Sequence, residues 1–121
     1  MTAAFSGLQG KRVLVLEDEF FLADDLALAL RAAGAAVVGP FARLEAALAA
    51  VEAGPDPDLA VMDINLAGEP CYALADALAA RGVPHVFVTG YDRNLIAPTY
   101  AHVPRFEKPI DVRRLVRSLG G

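Results

Sequence analysis

Short, uninterrupted apolar runs alternate along this chain with longer stretches in which apolar residues return every three or four positions. Val13-Leu14-Val15-Leu16, Leu59-Ala60-Val61-Met62 and His85-Val86-Phe87-Val88 are of the first kind. Each is too short for a helix, and the lack of alternation suits a strand covered on both faces. Ala35-Ala36-Val37-Val38, closed by Gly39-Pro40, and a stretch around 104–107 bring the predicted strands to five. The intervening stretches read as helices. Over 20–33, Leu22, Leu26, Leu30 and Ala33 form one stripe, Asp24, Asp25 and Arg31 lie off it, and Gly34 is the stop. A second helix spans about 42–53 on Leu44, Leu48 and Val51, and a third about 71–81, ended by Gly82. A weak segment around 94–100 is interrupted by Pro98, which predicts a short fourth helix. Asp111 reads as the N-cap of a closing helix that carries Val112, Leu115, Val116 and Leu119.

Strands that alternate with helices pair in parallel through right-handed crossovers. The expected fold is therefore α/β, a doubly wound five-stranded parallel sheet with helices on both faces. With 121 residues and no internal repeat, the chain is expected to form a single domain over 1–121, with its core at about 11–119. Ligands in such folds bind outside the carboxyl ends of the strands. The residues at those ends are Glu17 and Asp18, Asp63, Thr89 and Lys108.

Carboxylates from two strands that converge on one small site repel each other, and burial raises the cost of keeping them ionised. A hard divalent cation relieves both problems. Mg²⁺ fits best, because it accepts one or two protein carboxylates, keeps several waters and tolerates a phosphate. A phosphoryl group there would meet the metal, the Lys108 ammonium and the Thr89 hydroxyl, groups suited to stabilising charge spread over its oxygens. Asp63 is then the candidate nucleophile, since a carboxylate can become an aspartyl phosphate.

The segments Val13-Leu14-Val15-Leu16-Glu17-Asp18-Glu19, Val61-Met62-Asp63-Ile64-Asn65-Leu66 and Phe106-Glu107-Lys108-Pro109 resemble receiver domains of two-component response regulators. Phe87-Val88-Thr89-Gly90-Tyr91 also resembles the FAT GUY subgroup of stand-alone, single-domain receivers, with Val88 in place of its alanine. The resemblance implies a flavodoxin-like (βα)5 strand order, 2-1-3-4-5. It implies Asp63 as phosphoacceptor, Mg²⁺ held by the side chains of Asp18 and Asp63, by Glu17 through water and by the Asn65 backbone carbonyl. Thr89 and Lys108 would contact phosphoryl oxygens, across a cis Lys108-Pro109 peptide. Phe106 would be the switch aromatic that follows Thr89, and Asn65 and Tyr91 would tune the lifetime of the aspartyl phosphate. Phe106 departs from the commoner tyrosine and has no hydroxyl to offer.

The remaining composition narrows the function. Eleven Lys+Arg against fifteen Asp+Glu leave a net charge of -4, the wrong sign for neutralising nucleic-acid phosphates. One cysteine, Cys71, and two histidines, His85 and His102, are too few for a structural zinc site, and Cys71 has no internal disulfide partner. No signal peptide and no apolar run long enough for a membrane span is present, so a soluble, cytoplasmic protein is expected. Partners would be a histidine kinase or histidine phosphotransfer protein and an unidentified downstream protein, with no segment left for a DNA-binding output domain. Two alternatives stay open. One is an adaptor that binds partners without phosphorylation. The other is a small Mg²⁺-dependent phosphatase with an aspartyl-phosphate intermediate, although Asn65 stands where such enzymes place a second acid. The leading expectation is a phosphoacceptor switch, not a turnover enzyme on an outside substrate.

Overall fold

A computed structural model describes residues 7–90 and 96–120. The strands are β1 (Arg12–Leu16), β2 (Ala36–Phe41), β3 (Leu59–Asp63), β4 (Asn65–Leu66), β5 (Glu69–Pro70), β6 (His85–Thr89) and β7 (Arg105–Glu107). The helices are α1 (Phe20–Ala32), α2 (Leu44–Ala53), α3 (Tyr72–Ala80) and α4 (Val112–Gly120). The main sheet has five parallel strands in the order β2-β1-β3-β6-β7, and β4 and β5 form a separate antiparallel hairpin. Counted by its five strands alone, the sheet has the expected flavodoxin-like order.

Side chains of successive strand residues point to opposite faces. Leu14, Leu16, Ala60, Met62 and Phe87 accordingly join the core beneath α2 and α3, with Leu74 and Leu78. Val13, Val15, Val61, Val86 and Val88 join the core beneath α1 and α4, with Leu26, Leu30 and Leu115. This two-sided burial is why the strand sequences carry no polar alternation.

Three expectations about the elements are corrected, and one element is unexpected. The second strand does not close at Gly39-Pro40 but runs on to Phe41, through a cis Gly39-Pro40 bond and a register shift against β1. An edge strand tolerates proline because only one side of its backbone must pair. Gly39 has φ +101°, and a Cβ there would lie 2.7 Å from the Phe41 nitrogen. The extension matters to function, because the Phe41 carbonyl accepts the backbone N–H of Glu17 at 2.9 Å and fixes the end of β1.

The second helix begins at Leu44 rather than near 42. The β4–β5 hairpin, which the sequence pattern does not signal, turns on Ala67 and Gly68, both at positive φ (53° and 95°). In place of a fourth helix, the described part of 94–100 holds one 3-10 turn, Pro98–Tyr100. That turn is held to α3 by Tyr100, whose ring stacks on Tyr72 at 4.2 Å and whose hydroxyl donates to Asp76 at 2.7 Å.

The closing helix starts as expected, with Asp111 Oδ1 accepting the Arg114 N–H at 3.1 Å. The chain enters along the sheet edge opposite the strands' carboxyl ends, where the Gly10 N–H donates to the Gly34 carbonyl. There Gly7 abuts the end of α4, so closely that a Cβ would collide with the Gly120 carbonyl oxygen. No described helix is long and apolar enough to cross a membrane.

Candidate functional site

Parallel strands β1 and β3 are hydrogen-bonded neighbours, so the residues at their carboxyl ends must meet. Glu17, Asp18 and Asp63 each offer a carboxylate oxygen, and these oxygens lie within 4.8 Å of one another. Glu17 and Asp63 are buried, 2% and 4% exposed, whereas Asp18 faces solvent. Both carboxylates of the buried pair are oriented by local backbone donors. Glu17 Oε2 accepts the Glu19 N–H and Asp63 Oδ1 accepts the Asn65 N–H, each at 3.0 Å.

Lys108 arrives from the end of β7, with its backbone N–H donating to the Thr89 carbonyl at 2.8 Å. Its Nζ donates to Asp63 Oδ2 at 2.9 Å, to Glu17 Oε2 at 3.3 Å and to Glu19 Oε2. The stem of Lys108 lies against Gly90, where a Cβ would touch Cδ at 3.5 Å. The Lys108-Pro109 peptide is cis, as expected. Asp18, Glu19, Asp63, Asn65, Gly90 and Lys108 line an open cleft of about 420 Å³, ample for a phosphoryl group with bound waters.

The charges are not balanced within this set. Burial pushes the Glu17 carboxyl up to about 8, and the Asp63 charge adds to that against the opposing Glu19 N–H and Lys108. Burial alone would lower the Lys108 ammonium, but its hydrogen bonds to Glu19 and Asp63 and the charges of Asp63 and Glu17 prevail and hold it above the ordinary lysine value. Glu17 Oε1 is buried and has no hydrogen-bond partner. A buried carboxylate oxygen left bare is costly, and a cation bound between Glu17, Asp18 and Asp63 would satisfy it. The donor set, oxygen only and carboxylate-rich, therefore fits a hard metal ion.

The other predicted residues fall around this centre. Thr89 is 5% exposed at the end of β6, next to the cleft but not part of its lining. Asn65 lines the cleft, and its side-chain Oδ1 accepts the Gly68 N–H of the hairpin turn at 2.7 Å. Phe106 is half-buried against the core on the α1–α4 face. Tyr91 lies outside the described residues. Cys71 is fully buried, and burial reinforced by the Asp63 charge pushes its thiol up to about 12, which fits an inert core residue.

No protein-family model and no curated protein matches the chain. Solved structures do. A CheY-like response regulator receiver domain protein from Methanospirillum hungatei JF-1 is 25% identical over 92% of this chain and 91% of its own, with a TM-score of 0.78. The response regulator PhyR from Brucella abortus is 27% identical with a TM-score of 0.78; it aligns with 96% of this chain, which spans about half of its length (48%). SdrG from Sphingomonas melonis Fr1, solved in solution, is 32% identical over 98% of this chain and 96% of its own, with a TM-score of 0.78. The chain belongs to the response regulator receiver family.

Sequence reasoning placed the acid pair, Asp63, Thr89 and Lys108 of this receiver at one edge, and the fold brings them there. It passed over Glu19 as part of an acidic run. Glu19 is 89 residues from Lys108 in sequence, and the common carboxyl edge of the sheet, across β1, β3, β6 and β7, brings the two together.

Proposed function

We propose that this receiver is a phosphoacceptor that takes a phosphoryl group from a phosphohistidine onto Asp63 and changes its protein contacts as a result. The observation that carries the reading is the Lys108 ammonium seated 2.9 Å from Asp63 Oδ2 beside the buried Glu17, whose Oε1 is bare. Mg²⁺ is the cation we assign to Glu17, Asp18 and Asp63, with Glu17 acting through water and the Asn65 backbone carbonyl completing the protein's share. When bound, it supplies positive charge to the phosphoryl oxygens and removes the repulsion among the carboxylates.

This chain's own residues then have distinct tasks. An Asp63 carboxylate oxygen attacks phosphorus, and the new P–O bond forms as the donor's P–N bond breaks. The electron pair leaves with the imidazole nitrogen, which ends protonated. The Asn65 N–H holds Asp63 Oδ1 and so sets the direction of the other oxygen. Lys108 and the Thr89 hydroxyl take up phosphoryl oxygens, and Phe106 follows Thr89. Asn65 and Tyr91 are the residues to which we assign control of the product's lifetime. Membership of the FAT GUY subgroup rests on Phe87-Val88-Thr89-Gly90-Tyr91. The product is stoichiometric, so the protein is a switch rather than a turnover enzyme, and its place is the cytoplasm, where phosphohistidine donors act.

Incubation with a small-molecule phosphodonor and Mg²⁺ is expected to add one phosphoryl group per chain by mass spectrometry, and a chelator to suppress it. Unchanged labelling in the presence of chelator would remove the metal from the scheme. A histidine kinase or histidine phosphotransfer protein must rest on the rim of the cleft to present its imidazole. Phe20 and Phe21, 74% and 80% exposed with their rings edge to face at 5.4 Å, follow the cleft-lining Glu19 in the first turn of α1 and are the contact we assign to it. Phe20→Ala with Phe21→Ala is expected to slow transfer from a protein donor roughly tenfold, the size of an aromatic interface anchor. Labelling by the small donor should stay nearly constant. Equal losses with both donors would mean that the pair serves folding instead of docking.

A further inference from the structure

An ammonium has three N–H donors and no acceptor. In this protein all three Lys108 donors are taken by carboxylates, those of Glu17, Glu19 and Asp63. A phosphoryl oxygen can gain the ammonium only if one of these lets go. Glu17 is buried, its side chain 1% exposed, with Oε1 already lacking a partner, and losing Lys108 would leave it the Glu19 N–H as its one donor inside the protein. Asp63 carries the incoming group and keeps Lys108 beside it. The Glu19 side chain is 59% exposed and passes into water on release at little cost. A second observation points the same way. Glu19 occupies the N-cap of α1, where a side chain ordinarily accepts a backbone N–H of the first turn, yet it makes no such cap. Its carboxylate goes to Lys108 instead.

We infer that Glu19 is a positioning residue of the phosphoacceptor site, which holds the Lys108 ammonium in the unmodified protein and yields it to the phosphoryl group. This rests on the phosphoacceptor reading given above. Glu19 thus sets how readily Lys108 turns toward phosphorus, and through it the rate of acceptance. The exposed acids Asp24 and Asp25, also on α1, change the overall charge by the same amount without touching Lys108, and they separate this role from a diffuse field.

The test has two arms. In ¹H–¹⁵N spectra of metal-free protein, the Lys108 ammonium protons are expected to exchange with water faster in Glu19→Ala than in wild type. Unchanged exchange would overturn the inference, whether or not the protein accepts phosphate. In the second arm, Glu19→Ala is expected to raise the initial rate of labelling by a small-molecule phosphodonor roughly two- to fivefold, the worth of one exposed ion pair. Glu19→Gln should raise it less, because an amide oxygen still accepts. Asp25→Asn should leave it near wild type. An equal gain from Asp25→Asn, or none from Glu19→Ala, would also overturn the role given to Glu19. Labelling that survives in Asp63→Asn would instead strike the phosphoacceptor assignment, and the exchange measurement would still decide Glu19.

Discussion

Asp63→Asn is expected to abolish labelling by phosphodonor and Mg²⁺ while the fold persists. Asparagine has the shape of aspartate, and its carbonyl can still accept the Asn65 N–H that now binds Oδ1 at 3.0 Å. Its amide is not a nucleophile toward phosphorus, so acceptance is lost outright rather than slowed. The substitution also removes one negative charge from the three-acid cluster, and metal affinity falls with it. Intact far-UV circular dichroism together with a mass spectrum free of phosphoryl adduct is the expected pair of readings. An adduct of wild-type yield would mean that another group, with Asp18 first in line, is the acceptor. The wild-type label should be stable in acid and labile in base, as an acyl phosphate is.

The metal-free protein is expected to lose stability as the pH rises from about 5 to about 8. Burial, aided by the Asp63 charge, lifts the Glu17 carboxyl from 4.5 to about 8 in the folded chain. Within that window the folded form keeps a proton that the unfolded form has given up. Unfolding therefore releases a proton, and each step up in pH favours it. Below the window both states are protonated and Glu17 contributes no slope. Above it both are ionised and the loss is complete, at a few kcal/mol. Lys108, held above its ordinary value, does not enter until far more alkaline pH. Glu17→Gln should flatten the curve, because an amide carries no proton to release. Mg²⁺ at pH 8 should restore much of the lost stability to wild type by binding the ionised acids in the folded state alone. Thermal melts across this range, with chelator or with Mg²⁺, measure both effects. An identical slope in wild type and Glu17→Gln would remove Glu17 as its source.

How much of this was legible in the sequence depends on where the determining contact lies. β1, β3 and β6 could be read directly, because Val13 to Leu16, Leu59 to Met62 and Val86 to Val88 are buried on both faces and carry no polar residue to confuse the pattern. The acid pair, Asp63 and Lys108 were legible for the same reason, since parallel strands bring their carboxyl ends to one edge. Gly39-Pro40 misled, because proline reads as a stop and only the edge position of β2 makes it harmless. The β4–β5 hairpin was silent, its strands being two residues each and its turn placing an alanine at positive φ where glycine or asparagine would be the signal. The 3-10 turn at Pro98–Tyr100 owes its place to the stack of Tyr100 on Tyr72, a long-range contact with no local pattern. Glu19 belongs with it, a local cap position whose side chain answers to a lysine from the other end of the chain.

The meeting of Gly7 with Gly120 has a practical consequence. Both lie on the edge of the sheet away from the acid cleft, so a reporter protein or a biosensor chip tethered at Gly7 or Gly120 would leave the cleft open to solution. A peptide linker joining Gly7 to Gly120 would have only a short gap to bridge, which makes residues 7–120 a natural starting point for circularly permuted sensors.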